Sequence, residues 1–159
     1  MAFTKGLTYY GIRDAMYESS VKRSDGVYLK ERREMARHSQ GLEWGYGGSG
    51  PAQCAIALLM DTLEDADHYV GARDIWGARC DEKAEWVLNH YQKFKWEVVC
   101  GLDRKGFSLP QEDVRAWISY QLVPDKIKDA SDERSGFSFG LERRERDKKM
   151  NANRVVCND

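Results

Sequence analysis

The sequence predicts an α+β fold: a small antiparallel sheet near the N-terminus, packed against about three main helices, with the central helix buried. Three observations predict it. Four glycines fall within six positions in Trp44-Gly45-Tyr46-Gly47-Gly48-Ser49-Gly50-Pro51-Ala52-Gln53, and an apolar run from Cys54 to Leu63 follows directly. A stretch rich in β-formers, Leu7 to Arg13, precedes an Asp25-Gly26 turn signal and a second short apolar run. Apolar residues then recur at helical spacing from Asp81 to Val99.

In chain order, Leu7 to Arg13 reads as a first strand, and Val21–Arg23 and Val27–Leu29 read as strands joined across Asp25-Gly26. Glu31 to Gln40 holds only Met35 and Ala36 as apolar residues, so it reads as a short exposed helix or a loop. Pro51 suits the first turn of a helix, where its missing N–H costs nothing. Gly50 or Ser49 then takes the N-cap position, and the helix runs from about Pro51 to Leu63. Cys54, Ala55, Ile56, Ala57, Leu58, Leu59, Met60 and Leu63 leave it no polar face, which marks it as buried. His68 to Arg79 is ambiguous, because two glycines interrupt a weak helical pattern. In the next helix Ala84, Val87, Leu88, Tyr91, Phe94 and Val98 form the inward stripe, opposite Glu82, Lys83, Asn89, Lys93 and Glu97, and Gly101 is placed to end it. Ser108-Leu109-Pro110-Gln111 reads as an N-cap followed by a first turn, with Val114, Trp117, Ile118 and Leu122 facing inward along a last short helix.

Composition bounds the function classes. A chain of 159 residues suits a single core, with the compact domain expected over residues 1–124. Residues 125–159 are dominated by charge and hold only Phe137, Phe139 and Leu141 as apolar anchors, so they read as a poorly ordered or weakly helical tail. Lys and Arg number 25 and Asp and Glu 26, so the charge sum gives no bias toward nucleic acid, which is not an expected partner. The basic run Arg143 to Lys149 is diluted by acids and reads as a solvated face. No apolar run reaches the roughly 18 residues a membrane helix needs, and the N-terminus lacks a signal-peptide pattern. The expectation is therefore a cytoplasmic protein with no membrane contact. Cys54, Cys80, Cys100 and Cys157 form no C-x-x-C pair, and His38, His68 and His90 have no ligand spacing, so neither a metal nor any other cofactor is expected.

The candidate site is the glycine turn. A turn of this kind entering a helix presents free N–H groups at the positive end of a dipole, which suits a phosphate or carboxylate. The residues for such an anion or nucleotide site are Gly47, Gly48, Ser49 and Gly50, with Tyr46 as a second hydroxyl, Arg13 or Lys30 as the charge and Glu43 at its edge. The spacing is not that of a P-loop, since no Gly-Lys-Ser/Thr follows. The same glycines also suit a tight buried bend with Trp44 and Tyr46 packed on the sheet, and the sequence leaves both readings open. No Ser/His/Asp set, paired carboxylates or Cys/His dyad stands out, so no catalytic residue is assigned. Trp86 and Trp96 lie off the main stripe of their helix, buried in a second contact or exposed toward a protein partner.

The phrase Leu42-Glu43-Trp44-Gly45-Tyr46-Gly47-Gly48-Ser49-Gly50-Pro51-Ala52-Gln53 and the Ala/Leu-rich helix after it resemble a family of small uncharacterised bacterial and bacteriophage proteins carrying a domain of unknown function. Tyr10-Gly11-Ile12-Arg13 upstream is similar to that family too, as are Tyr91 to Val99, Phe107-Ser108-Leu109 and Val114 to Ile118, about residues 7 to 122 in all. Leu42 and Cys54 depart from its usual aromatic and leucine as core swaps, and His68 to Arg79 and the tail look like additions. The resemblance implies a compact α+β domain in a bacterial or mobile-element setting and implies no chemistry. The resulting expectation is an accessory protein that binds an anionic small molecule or nucleotide at the glycine turn. The alternative is a protein–protein or inhibitor module acting through its aromatic helices and tail; an enzyme using Glu43 and Arg13 ranks third.

Overall fold

The computed structural model describes residues 6–14, 16, 18–65 and 75–123. Strand β1 (Thr8–Arg13) buries Tyr9 and Gly11 and turns Tyr10 and Ile12 outward, the period-two pattern of a sheet with one wet face. It is the central strand. It pairs antiparallel with β2 (Ser19–Arg23), Gly11 opposite Val21, and on its other side with β3 (Gly106–Pro110), Gly11 opposite Phe107.

β3 corrects the expected cap at Ser108. Gly106-Phe107-Ser108-Leu109-Pro110 alternates in burial, and the partner that makes it a strand is almost a hundred residues upstream. The helix that follows therefore begins at Gln111, with Pro110 as its N-cap. The expected N-terminal sheet thus takes its third strand from the C-terminal half. Val27 to Leu29 lies beside β2 through a single bridge, Lys22 opposite Tyr28. Residues 31–40 form turns rather than a helix.

Helix α1 (Ser49–Asp65) is buried along nearly its whole length, from Gly50 to Met60 without a break. It starts at Ser49, so Ser49 and Gly50 lie within its first turn rather than capping it. Helix α2 (Cys80–Glu97) packs on α1 and gives way to a 3-10 turn at Val99–Gly101; helix α3 (Gln111–Leu122) completes the layer. One core runs from Tyr9 to Ile118 and joins all three strands and all three helices. Ile75–Gly77 is a 3-10 turn and Arg79 is the N-cap of α2; residues 68–74 of the ambiguous stretch, and the tail with Cys157, lie outside the described residues.

Two inward stripes hold with exceptions at their rims. Val87 and Phe94 of α2, its C-cap Val98, and Val114, Trp117 and Ile118 of α3 are buried, whereas Leu88 and Leu122 are exposed. Lys83, read as part of the solvent face, is 2% exposed: its Nζ donates to the Leu63 carbonyl at 3.0 Å. The C-terminal carbonyls of a helix lack partners within the helix, and α1 has no basic residue in its last turn. Lys83 supplies one donor from α2.

Candidate functional site

The glycine turn is held from three sides. The Trp44 indole N–H donates to the Asp103 carbonyl at 2.8 Å, and its ring meets Phe107 edge-on with centroids 5.0 Å apart. The Gly45 N–H reaches the Val99 carbonyl at 3.0 Å. The turn closes on itself through the Glu43 N–H and the Gly50 carbonyl, 3.4 Å apart. Gly45 has φ of +83°, the left-handed region, and a Cβ there would also meet the Leu102 carbonyl at 2.8 Å. Gly50 is needed for space: a Cβ would sit 2.7 Å from the Glu43 Cβ and 2.8 Å from the Tyr46 hydroxyl.

Arg13, Glu43, Tyr46 and Gly50, separate in the sequence, come together here. Tyr46 donates its hydroxyl to Glu43. Burial, then the hydrogen bond to the Glu43 carboxylate and its charge, push the Tyr46 hydroxyl up to about 12. The Arg13 guanidinium lies 3.7 Å from the other Glu43 oxygen and 4.9 Å from the centre of the Trp44 ring, a cation–π distance. Its Nε donates to the Arg104 carbonyl at 2.5 Å. Gly47 and Gly48 are buried, and Ser49 is exposed at the first position of α1.

Sequence reasoning missed Arg104. It precedes β3, and its guanidinium lies over the Tyr46 ring at 5.5 Å. Nothing local marked it, because long-range contacts bring it to the turn: the pairing of β3 with β1 and the bonds from Trp44 to Asp103 and from Gly45 to Val99. Lys30 is exposed and has no recorded contact with this cluster. The arrangement thus sets two guanidiniums against one carboxylate beside the N-terminal end of a 17-residue helix.

A second polar cluster, also missed, closes the opposite end of α1. The Tyr9 hydroxyl donates to Asp61 at 2.7 Å, accepts from Gln111 at 2.9 Å and lies 3.0 Å from Thr62 Oγ1. Burial, reinforced by the Asp61 charge, pushes the Tyr9 hydroxyl well above the usual tyrosine range. Arg23 reaches Asp61 at 3.1 Å, Asp25 at 2.6 Å and Asp65 at 3.7 Å, and Arg32 pairs with Glu64. Carboxylates at a helix C-terminus oppose its dipole; here cations from β2 and the segment after it offset them. The signal in the sequence was three acids, Asp61, Glu64 and Asp65, gathered at the end of a mostly apolar helix. Apart from the buried Arg32 Nε, which has no hydrogen-bond partner, the cluster is satisfied by its own members and reads as a structural clasp. Among the described residues, no three His, Cys, Asp or Glu side chains are placed to hold a metal ion, and no helix is long and apolar enough to cross a membrane.

The aromatic residues of α2 pack inward or along the surface. Trp86 is partly buried against the core, stacks on His90 with centroids 4.0 Å apart, and meets Trp117 edge-on. Trp96 is half-buried under the Lys95 ammonium, 4.5 Å from its ring centre.

Residues 9–73 match the model of DUF6166, a family of unknown function. The match takes in β1, β2, the glycine turn and α1 and runs on to residue 73, so residues 68–73, expected as an addition, fall inside it; α2, β3 and α3 lie beyond it, so it is narrower at its C-terminal end than the resemblance read from the sequence. No curated protein and no solved structure shows a significant match.

Proposed function

We propose that the chain is a binding protein that holds the anionic group of a small ligand, such as a phosphate or nucleotide, at the glycine turn. The observation that carries this reading is the convergence of Arg13 and Arg104 on the start of α1, two cations against the single carboxylate of Glu43. An anion seated there would meet the positive end of the helix dipole and the exposed Ser49. It would draw Arg13 away from a pairing that, at 3.7 Å, is loose. The resemblance of the Trp44–Gln53 phrase to proteins of bacteria and bacteriophages supports a role as an accessory protein of such a genome, acting in the cytoplasm. The alternative, a protein-binding module built on the aromatic helices, draws less support, because Trp86 and Trp117 are engaged with the core and with each other.

The test is a thermal-shift panel of nucleotides and phosphate-bearing metabolites on the wild type, Gly48→Ala, Ser49→Ala and Arg104→Gln. A ligand that stabilises the wild type but not a folded Arg104→Gln or Gly48→Ala protein supports the site. No stabilisation of the wild type by any anion at millimolar concentration overturns it and leaves the turn as scaffold.

A further inference from the structure

The solvent face of the sheet lies on the opposite side from the glycine turn. Alternation along the strands assigns to it Thr8, Tyr10 and Ile12 of β1, Ser20 and Lys22 of β2, and Gly106, Ser108 and Pro110 of β3. The register sets these in rows. Ser108, Tyr10, Lys22 and Tyr28 lie side by side across the sheet, and Gly106, Ile12 and Ser20 form the next row. Tyr10 and Ile12 are each 42% exposed and Tyr28 is 60% exposed. The neighbours of Tyr10 and Ile12 on β3 are Ser108 and Gly106, too small to cover them. Lys22 stands between the two tyrosines, with its Nζ 5.3 Å from the centre of the Tyr28 ring.

We propose that this face is a platform for single-stranded nucleic acid, with bases stacking on Tyr10 and Tyr28 and Lys22 neutralising the backbone between them. Aromatic side chains on an open sheet face beside a cation are what unpaired bases stack on, and stacking tolerates any base because each has a π-face. Among the outward positions of the three strands Lys22 is the single charge. The carboxylates that flank these strands along the chain, Asp14, Glu18 and Asp25, lie beyond the strand ends; Asp14 accepts the N–H groups of Met16 and Glu18, and Asp25 is paired with Arg23. Size argues for a short strand of bases over a folded protein partner. A stable protein interface takes about 20–30 residues a side, whereas a few aromatic side chains on a sheet face are enough to stack two or three bases. The near-neutral charge of the whole chain does not bear on this, because it sums over faces that a ligand never meets together.

The experiment is fluorescence anisotropy with labelled oligo-U and oligo-dT of about 12 nucleotides and a duplex of equal length, using the full chain. The single strands should bind, and the duplex should bind at least about ten-fold more weakly. Tyr10→Ala and Tyr28→Ala, both at exposed positions, should each weaken binding about ten-fold, while Tyr10→Phe retains it. Lys22→Gln should reduce the slope of log affinity against log salt by about 0.7. Arg79→Gln, which removes an exposed cation elsewhere, should leave the affinity unchanged. Melting curves for each variant separate loss of binding from loss of fold. Absence of binding by the wild type at low salt overturns the proposal. So does equal affinity for duplex, or wild-type affinity in folded tyrosine-to-alanine variants, either of which would show that nucleic acid does not bind by stacking on this face.

Discussion

Replacing Gly50 with alanine sets two known effects against each other. Alanine in place of glycine favours a helix by up to about 1 kcal/mol, and less in a first turn, where Gly50 lies. Against this, the added Cβ would sit 2.7 Å from the Glu43 Cβ, 3.0 Å from its Cγ and 2.8 Å from the Tyr46 hydroxyl. Carbon atoms pack best at about 3.5–4.0 Å, so the overlap approaches 1 Å. The nearest atom is a Cβ, so the Glu43 backbone must move and a side-chain rotation does not relieve the contact. Overpacking of this kind costs about 1–3 kcal/mol. The steric term wins, for a net loss of about 1–2 kcal/mol and a fall in Tm of roughly 2–8 °C for a chain of this size. Urea denaturation followed by circular dichroism measures the loss. Gly41→Ala is the control, because nothing lies within 4 Å of a Cβ there. Gly50→Ala in a Glu43→Gly background should recover part of the loss, a coupling that the double-mutant cycle reads directly. A Gly50→Ala protein as stable as the wild type would refute the reasoning and show that the Glu43–Gly50 approach is soft.

Leu58→Ala and Leu59→Ala should each cost about 2–5 kcal/mol, since both side chains are fully buried on α1; less than about 1 kcal/mol in both would place α1 outside the core. Arg23→Met should destabilise by about 2–4 kcal/mol, because Asp61, 14% exposed, loses the guanidinium that offsets it. The raised Tyr46 hydroxyl stabilises the fold below the ordinary tyrosine value near 10, and that contribution fades as pH rises from there through about 12. Tyr46→Phe should therefore flatten part of the alkaline limb of stability against pH, and an unchanged limb would refute the upward shift that burial and Glu43 together impose on Tyr46. A chain ending at Pro124 keeps the described core, whose last member is Ile118, and should unfold cooperatively within a few degrees of the full chain. Loss of cooperativity would show that Phe137 and Phe139 dock on it.

The sequence by itself determined the features that need no distant partner. Helix α1 was legible because an apolar run without a polar face can only be buried, and β1 because its residues favour a pleated surface. The glycine turn was legible as a turn, although which glycine requires a left-handed backbone was not; Gly45 does so, while Gly50 answers to the approach of Glu43 and Tyr46. The tertiary structure decided what depends on pairing across long separations. Gly106 to Pro110 looks locally like a helix cap and becomes a strand because β1 offers it an open edge. Lys83 looks like a solvent residue and is buried because the end of α1 needs a donor. Arg104, the second cation of the candidate site, has no sequence signature, since its proximity to Tyr46 follows from long-range contacts, that same strand pairing and the Trp44–Asp103 bond among them. Local propensity reaches a few residues along the chain, and the contacts that build this site span from three to more than ninety.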